Sequence, residues 1–189
     1  MELEFRFRLS GDEFARCVEK FDWSPPMRVC DLTLGPSGAT SMQTHGWVIR
    51  LRQTPGRTRM EYKAPTNPDW SAWKEIGTDV ADFGVTAEIL RLAGLQVGLL
   101  LDRVRRVATD GPVTLSLDDV KGLGQFVEIE VEADGPDDRD AHRELERVRA
   151  DLGLLGRDTA RPYGEILLNR LESEPDFRLE HEQMIKTVQ

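Results

Sequence analysis

Charged and apolar side chains alternate without a break in Glu2-Leu3-Glu4-Phe5-Arg6-Phe7-Arg8-Leu9, the segment from which the architecture follows. A period of two residues is typical of a β-strand, because successive side chains of a strand point to opposite faces. The segment therefore predicts a strand with one charged and one apolar face. Residues 125–133 repeat the alternation and place three glutamates on one face: Glu128, Glu130 and Glu132.

Further strands are predicted at residues 47–53, 59–64, 73–78, 102–108 and 113–119. Two of these strands also carry two positively charged residues on the same face. Arg50 and Arg52 share a face of one strand, and Arg103 and Arg105 share a face of another. If the strands close into a barrel, a carboxylate cluster and a guanidinium cluster converge on its interior, and the apolar faces are covered by helices.

A charged interior of this kind needs ligands, because each buried charge must be paired or solvated. A complex of a divalent metal with a triphosphate supplies both partners. Mg²⁺ or Mn²⁺ takes carboxylate oxygens, while arginine and lysine take phosphate oxygens. The pattern thus points to phosphoryl or nucleotidyl transfer. It leaves a second interpretation open, a solvated sheet face with cross-strand ion pairs worth about 0.2–1 kcal/mol each.

Helices are predicted from a Ser10 N-cap to about Phe21, over 79–94, over 137–152 and over 163–171. Residues 34–44, rich in Gly, Ser and Thr, predict a loop, and a hairpin turn is predicted around Pro55 and Gly56. The tail beyond Glu172 is polar, and we expect it to be loosely held. We therefore predict one domain at residues 1–172 and a polar C-terminal tail at 173–189.

The amino-acid composition and the net charge favour some classes of protein and argue against others. Of 189 residues, 39% are hydrophobic and 31% are charged, which predicts a folded globular domain. A net charge of −9 argues against nucleic acid as a partner, and no apolar run is long enough to span a membrane. The charged N-terminal segment lacks the apolar stretch of a secretory signal, so we expect a cytoplasmic protein. Cys17 and Cys30 are too few for a disulfide framework.

Six motifs, in chain order, resemble those of the CYTH superfamily, the triphosphate tunnel metalloenzymes that include class IV adenylate cyclases and thiamine triphosphatases. Glu2-Leu3-Glu4-Phe5-Arg6 resembles the Glu-x-Glu-x-Lys signature of that superfamily. Arg50-Leu51-Arg52 and Lys63 resemble its Arg-x-Arg strand and the lysine of the next strand, and Arg103-Val104-Arg105 resembles its later basic strand. Residues 117–130 look most like the bacterial class IV cyclase-like branch. Residues 163–168 resemble its Tyr-x-x-Leu-Leu element.

The resemblance implies an α+β fold, an eight-stranded antiparallel β-barrel that forms the triphosphate tunnel, with helices packed outside. The metal ligands it implies are Glu2, Glu4, Glu128 and Glu130. The phosphate-binding residues it implies are Arg50, Arg52, Lys63, Arg103 and Arg105. Catalytic roles are implied for Glu2, Glu4, Arg6 and Asp118, and Glu75 is a further candidate carboxylate.

The chain also departs from the family pattern. Arg6 stands in place of the signature lysine and cannot readily give up a proton, because the pKa of arginine lies above about 12. Residues 31–35 differ from the segment of relatives that carries an aromatic residue and an Asp-Thr pair. The C-terminal lysine found in thiamine triphosphatases has no clear counterpart in this chain, although Arg161 lies near its place. Recognition of the organic part of the substrate is therefore expected to differ.

We expect an enzyme that needs Mg²⁺ or Mn²⁺ and hydrolyses a triphosphate, either a nucleoside triphosphate or inorganic tripolyphosphate. Hydrolysis requires only a positioned water, whereas cyclisation also requires a base pocket that the sequence does not reveal. A class IV adenylate cyclase, which converts ATP to cyclic AMP and pyrophosphate, stays open as an alternative. A non-catalytic sensor of triphosphate or polyphosphate is the second alternative, and both a monomer and a homodimer are compatible with the sequence.

Overall fold

The computed structural model describes residues 2–66, 72–135 and 137–188. Eight strands form one closed antiparallel barrel with the order β1-β5-β4-β3-β2-β6-β7-β8. The strands are β1 (Glu2–Leu9), β2 (Met27–Gly35), β3 (Val48–Thr54), β4 (Arg57–Pro65), β5 (Ala72–Val80), β6 (Gln96–Asp110), β7 (Val113–Val120) and β8 (Gly124–Glu132). The fold class expected from the sequence is confirmed.

Six α-helices and one short 3₁₀ helix, Gly38–Thr40, accompany the strands in the described residues. The α-helices are α1 (Gly11–Lys20), α2 (Ser41–His45), α3 (Phe83–Leu92), α4 (Arg139–Asp151), α5 (Tyr163–Ser173) and α6 (Pro175–Val188). Ser10 caps α1 as predicted, and Glu13 completes a capping box. None of the helices in the described ranges has the length and apolar character needed to cross a bilayer.

The chain divides into two compact units. Unit 1 comprises Met1–Met27, Thr66–Trp73 and Arg103–Pro162, and unit 2 comprises Arg28–Pro65, Lys74–Asp102 and Tyr163–Gln189.

The core of unit 1 lies between the apolar strand faces and two helices. Leu3 and Phe7 of β1 are buried with Ile129 of β8, while Cys17 of α1 and Leu145 of α4 belong to the same cluster. Burying side chains of this size stabilises the unit by about 1.5–3 kcal/mol each. The apolar face predicted for β1 and β8 is therefore confirmed as a core face, and the charged face of these strands points the other way.

The core of unit 2 is built in the same manner around β2 and β3. Leu32 and Leu51, which are directly opposite each other in the β2–β3 register, are fully buried. Phe83 of α3 belongs to the same cluster, and Met184 and Ile185 of α6 pack against it. The core again leaves the charged residues of the strands on the opposite face.

Two parts of the sequence-based prediction were wrong. The predicted loop at 34–44 overlaps the end of β2, contains the 3₁₀ helix and overlaps α2, and β2 itself was not predicted. The tail beyond Glu172 was expected to be loosely held, but α6 forms there and buries His181 beside Leu100. Packing of the face that carries buried His181 and partly buried Met184 and Ile185 accounts for a helix in this polar segment. The domain boundary at residue 172 stays a prediction.

Candidate functional site

A cluster of charged residues lies on the strands of unit 1. We call it the β1–β8 cluster; its members are Glu2, Glu4, Arg6, Arg103, Arg105, Asp118, Glu128 and Glu130. Residues directly opposite each other in antiparallel strands point to the same face. The register places Arg6 opposite Glu128, Glu4 opposite Glu130 and Arg105 opposite Asp118. In the first two of these pairs, strand pairing brings together residues that are more than one hundred positions apart in the sequence.

Arginines hold three of the carboxylates of this cluster. Arg6 Nε donates to Oε1 of Glu128 at 2.7 Å, and Arg6 also contacts Glu4. Arg105 forms a two-pronged pair with Asp118 at 2.7 and 2.5 Å and contacts Glu128 as well. Asp118 is fully buried and Glu128 is 4% exposed. Buried carboxylates of this kind are stable only when they are paired, so Arg6 and Arg105 fix their positions.

Glu128 and Glu130 lie on the same face but titrate in opposite directions. Burial raises the pKa of Glu128, but the charges of Arg6 and Arg105 outweigh burial and hold it well below its usual range. Burial raises the pKa of Glu130 to about 8, and the neighbouring charges of Glu128 and Glu4 contribute. The surroundings therefore favour the ionised form of Glu128 and the protonated form of Glu130.

The carboxylate groups on the charged face of β1 and β8 are suitable ligands for a hard divalent cation. Carboxylate oxygens are the ligands that Mg²⁺ and Mn²⁺ prefer, and Glu4 and Glu130 are opposite each other in the register. The charge of Glu4 contributes to the raised pKa of Glu130, and a bound cation would offset this effect and favour loss of the Glu130 proton. Over residues 2–66, 72–135 and 137–188, no group of three or more His, Cys, Asp or Glu side chains is arranged to hold a metal ion. The predicted metal ligands therefore stay a prediction, and their carboxylate groups are of a type that suits Mg²⁺ or Mn²⁺.

A second cluster lies on the strands of unit 2. We call it the β3–β4 cluster; its members are Asp31, Arg50, Arg52, Arg59, Glu61, Lys63 and Glu75. Arg50 is opposite Glu61 in the β3–β4 register, and Arg52 is opposite Asp31 in the β2–β3 register. The strand pairing thus gives each of the two arginines of the Arg-x-Arg motif a carboxylate neighbour.

The hydrogen bonds of this cluster fix its guanidinium groups. Arg52 donates to both oxygens of Asp31, at 2.7 and 2.8 Å. Arg50 donates from Nε to Oε2 of Glu61 at 2.8 Å, and Arg59 donates to Oε1 of the same carboxylate at 2.9 Å. Such charge-assisted bonds are about twice as strong as neutral ones. The cationic groups are consequently preorganised before any ligand arrives.

Glu75 connects two further cations of the same cluster. It accepts a hydrogen bond from Nη2 of Arg50 at 3.0 Å and contacts Nζ of Lys63. Burial raises the pKa of Glu75, but the charges of Arg50 and Lys63 outweigh burial, and the pKa lies below its ordinary value. The carboxylate that the sequence offered as an additional candidate is therefore an ionised neighbour of the predicted phosphate-binding residues.

Three members of the β3–β4 cluster were not predicted as site residues from the sequence: Asp31, Arg59 and Glu61. A signal for two of them was present, because Arg59, Glu61 and Lys63 alternate along β4 and so share a face with period two. Gly77 of β5 adds to the arrangement. A Cβ at Gly77 would lie 2.7 Å from Cγ of Glu61 and 2.9 Å from Nε of Arg59, so the absent side chain leaves space for both.

The fold and the two clusters define a class of protein, a closed antiparallel barrel whose strand faces carry ordered sets of guanidinium and carboxylate groups. The chain belongs to the CYTH domain family, whose sequence profile matches residues 35–163. The resemblance stated from the sequence motifs is thereby confirmed. No curated protein sequence matches the chain.

Solved structures share the fold. A conserved hypothetical protein from Pyrococcus furiosus superposes with a TM-score of 0.76 at 22% identity, over 87% of this chain and 99% of that chain. A candidate adenylate cyclase from Vibrio parahaemolyticus has a TM-score of 0.70 at 20% identity, over 88% and 97%. A candidate adenylyl cyclase from Hippeastrum, described as having a dominant triphosphatase activity, has a TM-score of 0.57 at 17% identity, over 82% and 89%.

Proposed function

We propose that this chain is a divalent-metal-dependent enzyme that binds a triphosphate through the charged faces of its strands and hydrolyses it. The observation that carries the proposal is the β3–β4 cluster, in which buried carboxylates hold arginines in fixed positions on one strand face. Preorganised cations of this type are suited to a ligand with several negative charges.

Phosphate binding is assigned to Arg50, Arg52 and Lys63 of unit 2 and to Arg103 and Arg105 of unit 1. Guanidinium groups bind phosphate oxygens in pairs, while the lysine acts as a point charge. Membership of the CYTH domain family supports a triphosphate as the ligand. In the sequence, these positions resemble the basic motifs of that family. The triphosphate belongs to a nucleotide or is inorganic tripolyphosphate.

Metal binding is assigned to Glu2, Glu4, Glu128 and Glu130. A bound Mg²⁺ or Mn²⁺ would neutralise phosphate charge and favour attack by water. Glu130 must lose its proton to act as a ligand, and Arg6 orients Glu4 and Glu128 by contacting both. Because Arg6 stays protonated at neutral pH, it serves as an electrostatic and positioning group and not as a general base.

The catalytic roles proposed for Asp118 and Arg6 are indirect in this scheme. Asp118 holds Arg105 in a two-pronged pair and thereby directs it toward a phosphate. Neither residue needs to transfer a proton. Hydrolysis then requires only that the remaining carboxylates orient a water molecule near the terminal phosphorus, which makes it a simpler reaction for this site than cyclisation.

Release of orthophosphate from tripolyphosphate, with Mg²⁺ or Mn²⁺, tests the proposal. Glu130→Gln should lower metal-dependent turnover by at least about a hundredfold, because it removes a metal ligand. Arg52→Ala should weaken tripolyphosphate binding by about tenfold or more. Glu88→Gln changes the same charge at an exposed position on α3 and should leave both quantities unchanged. Full metal-dependent activity in Glu130→Gln would refute the carboxylate assignment.

The same assay separates the alternatives. Cyclic AMP and pyrophosphate from ATP would make the chain an adenylate cyclase. Binding of tripolyphosphate without turnover, whichever metal is supplied, would make it a sensor.

A further inference from the structure

The three carboxylates of the β3–β4 cluster are not equally accessible. The side chains of Asp31 and Glu61 are 4% and 8% exposed, whereas that of Glu75 is 26% exposed. Asp31 and Glu61 lie on β2 and β4 within the register that also fixes the arginines. Glu75 is therefore the carboxylate of this cluster that can move into solvent at the lowest cost.

Glu75 also occupies a special chemical position. Its two oxygens contact different cations, Oε1 contacting Lys63 and Oε2 accepting from Arg50. Both cations are assigned to phosphate binding. A carboxylate that bridges two cations presents negative oxygens where phosphate oxygens would bind, so Glu75 and a phosphate compete for the same donors.

The net charge of the β3–β4 cluster also favours displacement of Glu75 by an anionic ligand. By its definition it contains four cations and three carboxylates, a net formal charge of +1. Departure of Glu75 from its two partners exposes the charges of Arg50 and Lys63 to the ligand. Asp31 and Glu61 remain in place and keep Arg50, Arg52 and Arg59 oriented.

We propose that Glu75 is a displaceable counter-ion, which neutralises Arg50 and Lys63 in the free protein and swings away when a triphosphate binds. The inference rests on the proposed function, and it adds a residue that lowers the affinity of the site for a triphosphate. It distinguishes Glu75, which opposes ligand binding, from Asp31 and Glu61, which support ligand binding by positioning arginines. In this account Glu75 is neither a metal ligand nor a positioning residue for the phosphate-binding cations.

Calorimetric titration of inorganic tripolyphosphate into the full chain, in metal-depleted buffer and again with Mg²⁺, tests this inference. Glu75→Gln should tighten binding about tenfold, because the ligand no longer breaks two charged contacts. Glu61→Gln should weaken binding, since it releases Arg50 and Arg59. Glu88→Gln, an equal charge change on exposed α3, should bind as the wild type does.

Steady-state kinetics with tripolyphosphate provide a second readout. Glu75→Gln should lower KM without raising kcat, because the change affects ground-state binding. Weaker binding by Glu75→Gln in both buffers would overturn the inference and make Glu75 a positioning residue. Weaker binding only with Mg²⁺ would overturn it and make Glu75 a metal ligand.

The failure of the inference can be told apart from that of the proposed function. If the wild type binds tripolyphosphate and Arg52→Ala does not, but Glu75→Gln gains nothing, the counter-ion role alone is wrong. If the wild type itself does not bind tripolyphosphate, both the proposed function and the counter-ion role are wrong.

Discussion

Glu130 lies directly opposite Glu4 in the pairing of β1 with β8, and burial together with the charges of Glu128 and Glu4 raises the pKa of Glu130 to about 8. An unfolded chain would release this proton near the ordinary value of 4.5. The folded, metal-free protein therefore holds a proton that the unfolded protein lacks over most of the range between pH 4.5 and 8. Folding stability and proton uptake at Glu130 are consequently linked.

The sign of this linkage gives the first prediction. Because the folded state binds more protons, the contribution of Glu130 to the free energy of unfolding falls as pH rises from about 4.5 to about 8. Glu130→Gln, which is neutral at every pH, should remove that contribution. Urea denaturation of metal-free wild type and variant at pH 5 and pH 8 measures the difference. Identical pH dependence in the two proteins would contradict the raised pKa.

A second prediction concerns Arg6. Its removal in Arg6→Ala leaves the buried carboxylate of Glu128 with fewer cationic partners, and we expect a loss of about 3 kcal/mol in the free energy of unfolding. Arg6→Lys keeps the charge and should cost about 1 kcal/mol. Arg57→Ala, which removes an exposed arginine paired with exposed Asp79, should cause no measurable loss. Equal losses for Arg6→Ala and Arg57→Ala in urea denaturation would show that Arg6 does not stabilise the cluster.

A third prediction separates charge from geometry at Arg52. Its guanidinium is held by both oxygens of Asp31, and it is assigned to phosphate binding. Arg52→Lys retains the charge but cannot form the two-pronged pair, so tripolyphosphate should bind about tenfold more weakly. Calorimetric titration measures this loss. Unchanged affinity in Arg52→Lys would mean that only net charge matters at this position.

A fourth prediction concerns the C-terminal helix. His181 of α6 is buried, and its Nε2 lies 3.2 Å from the amide nitrogen and 3.0 Å from the carbonyl oxygen of Leu100. Burial lowers the pKa of His181, so the unfolded chain takes up a proton at higher pH than the folded chain does. The stability supplied by neutral His181 is complete above about pH 6.5 and declines as pH falls below that value.

Thermal unfolding at pH 7.5 and pH 5.5 tests this prediction. His181→Gln should reduce the difference in Tm between the two pH values. His142→Gln, at an exposed position on α4, should leave the difference as it is in the wild type. An unchanged difference in His181→Gln would show that α6 is not held in a pH-dependent manner.

Strict alternation made part of the fold predictable from the sequence. Every second residue is charged throughout β1 and from Glu128 to Glu132 in β8, so both strands and their charged faces follow from the period of two. In β2 the alternation is short, running from Cys30 to Leu34 with Asp31 and Thr33 between the apolar residues, and the strand was missed. α6 was missed because its sequence is polar and, among its described side chains, only His181 is buried, whereas Phe177, Met184 and Ile185 are partly buried.

The candidate site was predictable where residues of one sign share a strand. Arg50 and Arg52, or Glu128 and Glu130, stand out in the sequence for that reason. Asp31 and Glu61 are single carboxylates whose role depends on the partner across the ladder, and the register of β2, β3 and β4 is set by long-range pairing. Sequence periodicity therefore indicates which face a residue occupies, but not which residue lies opposite it.

The most direct measurement of the central claim is a product analysis of ATP and of tripolyphosphate with Mg²⁺ and with Mn²⁺, resolving orthophosphate, pyrophosphate and cyclic AMP in one separation. Wild type and Glu130→Gln are compared under the same conditions. Our account predicts metal-dependent release of orthophosphate by the wild type and its loss in the variant. Cyclic AMP with pyrophosphate, or no product from either substrate with either metal, would contradict hydrolysis of a triphosphate as the function of this chain.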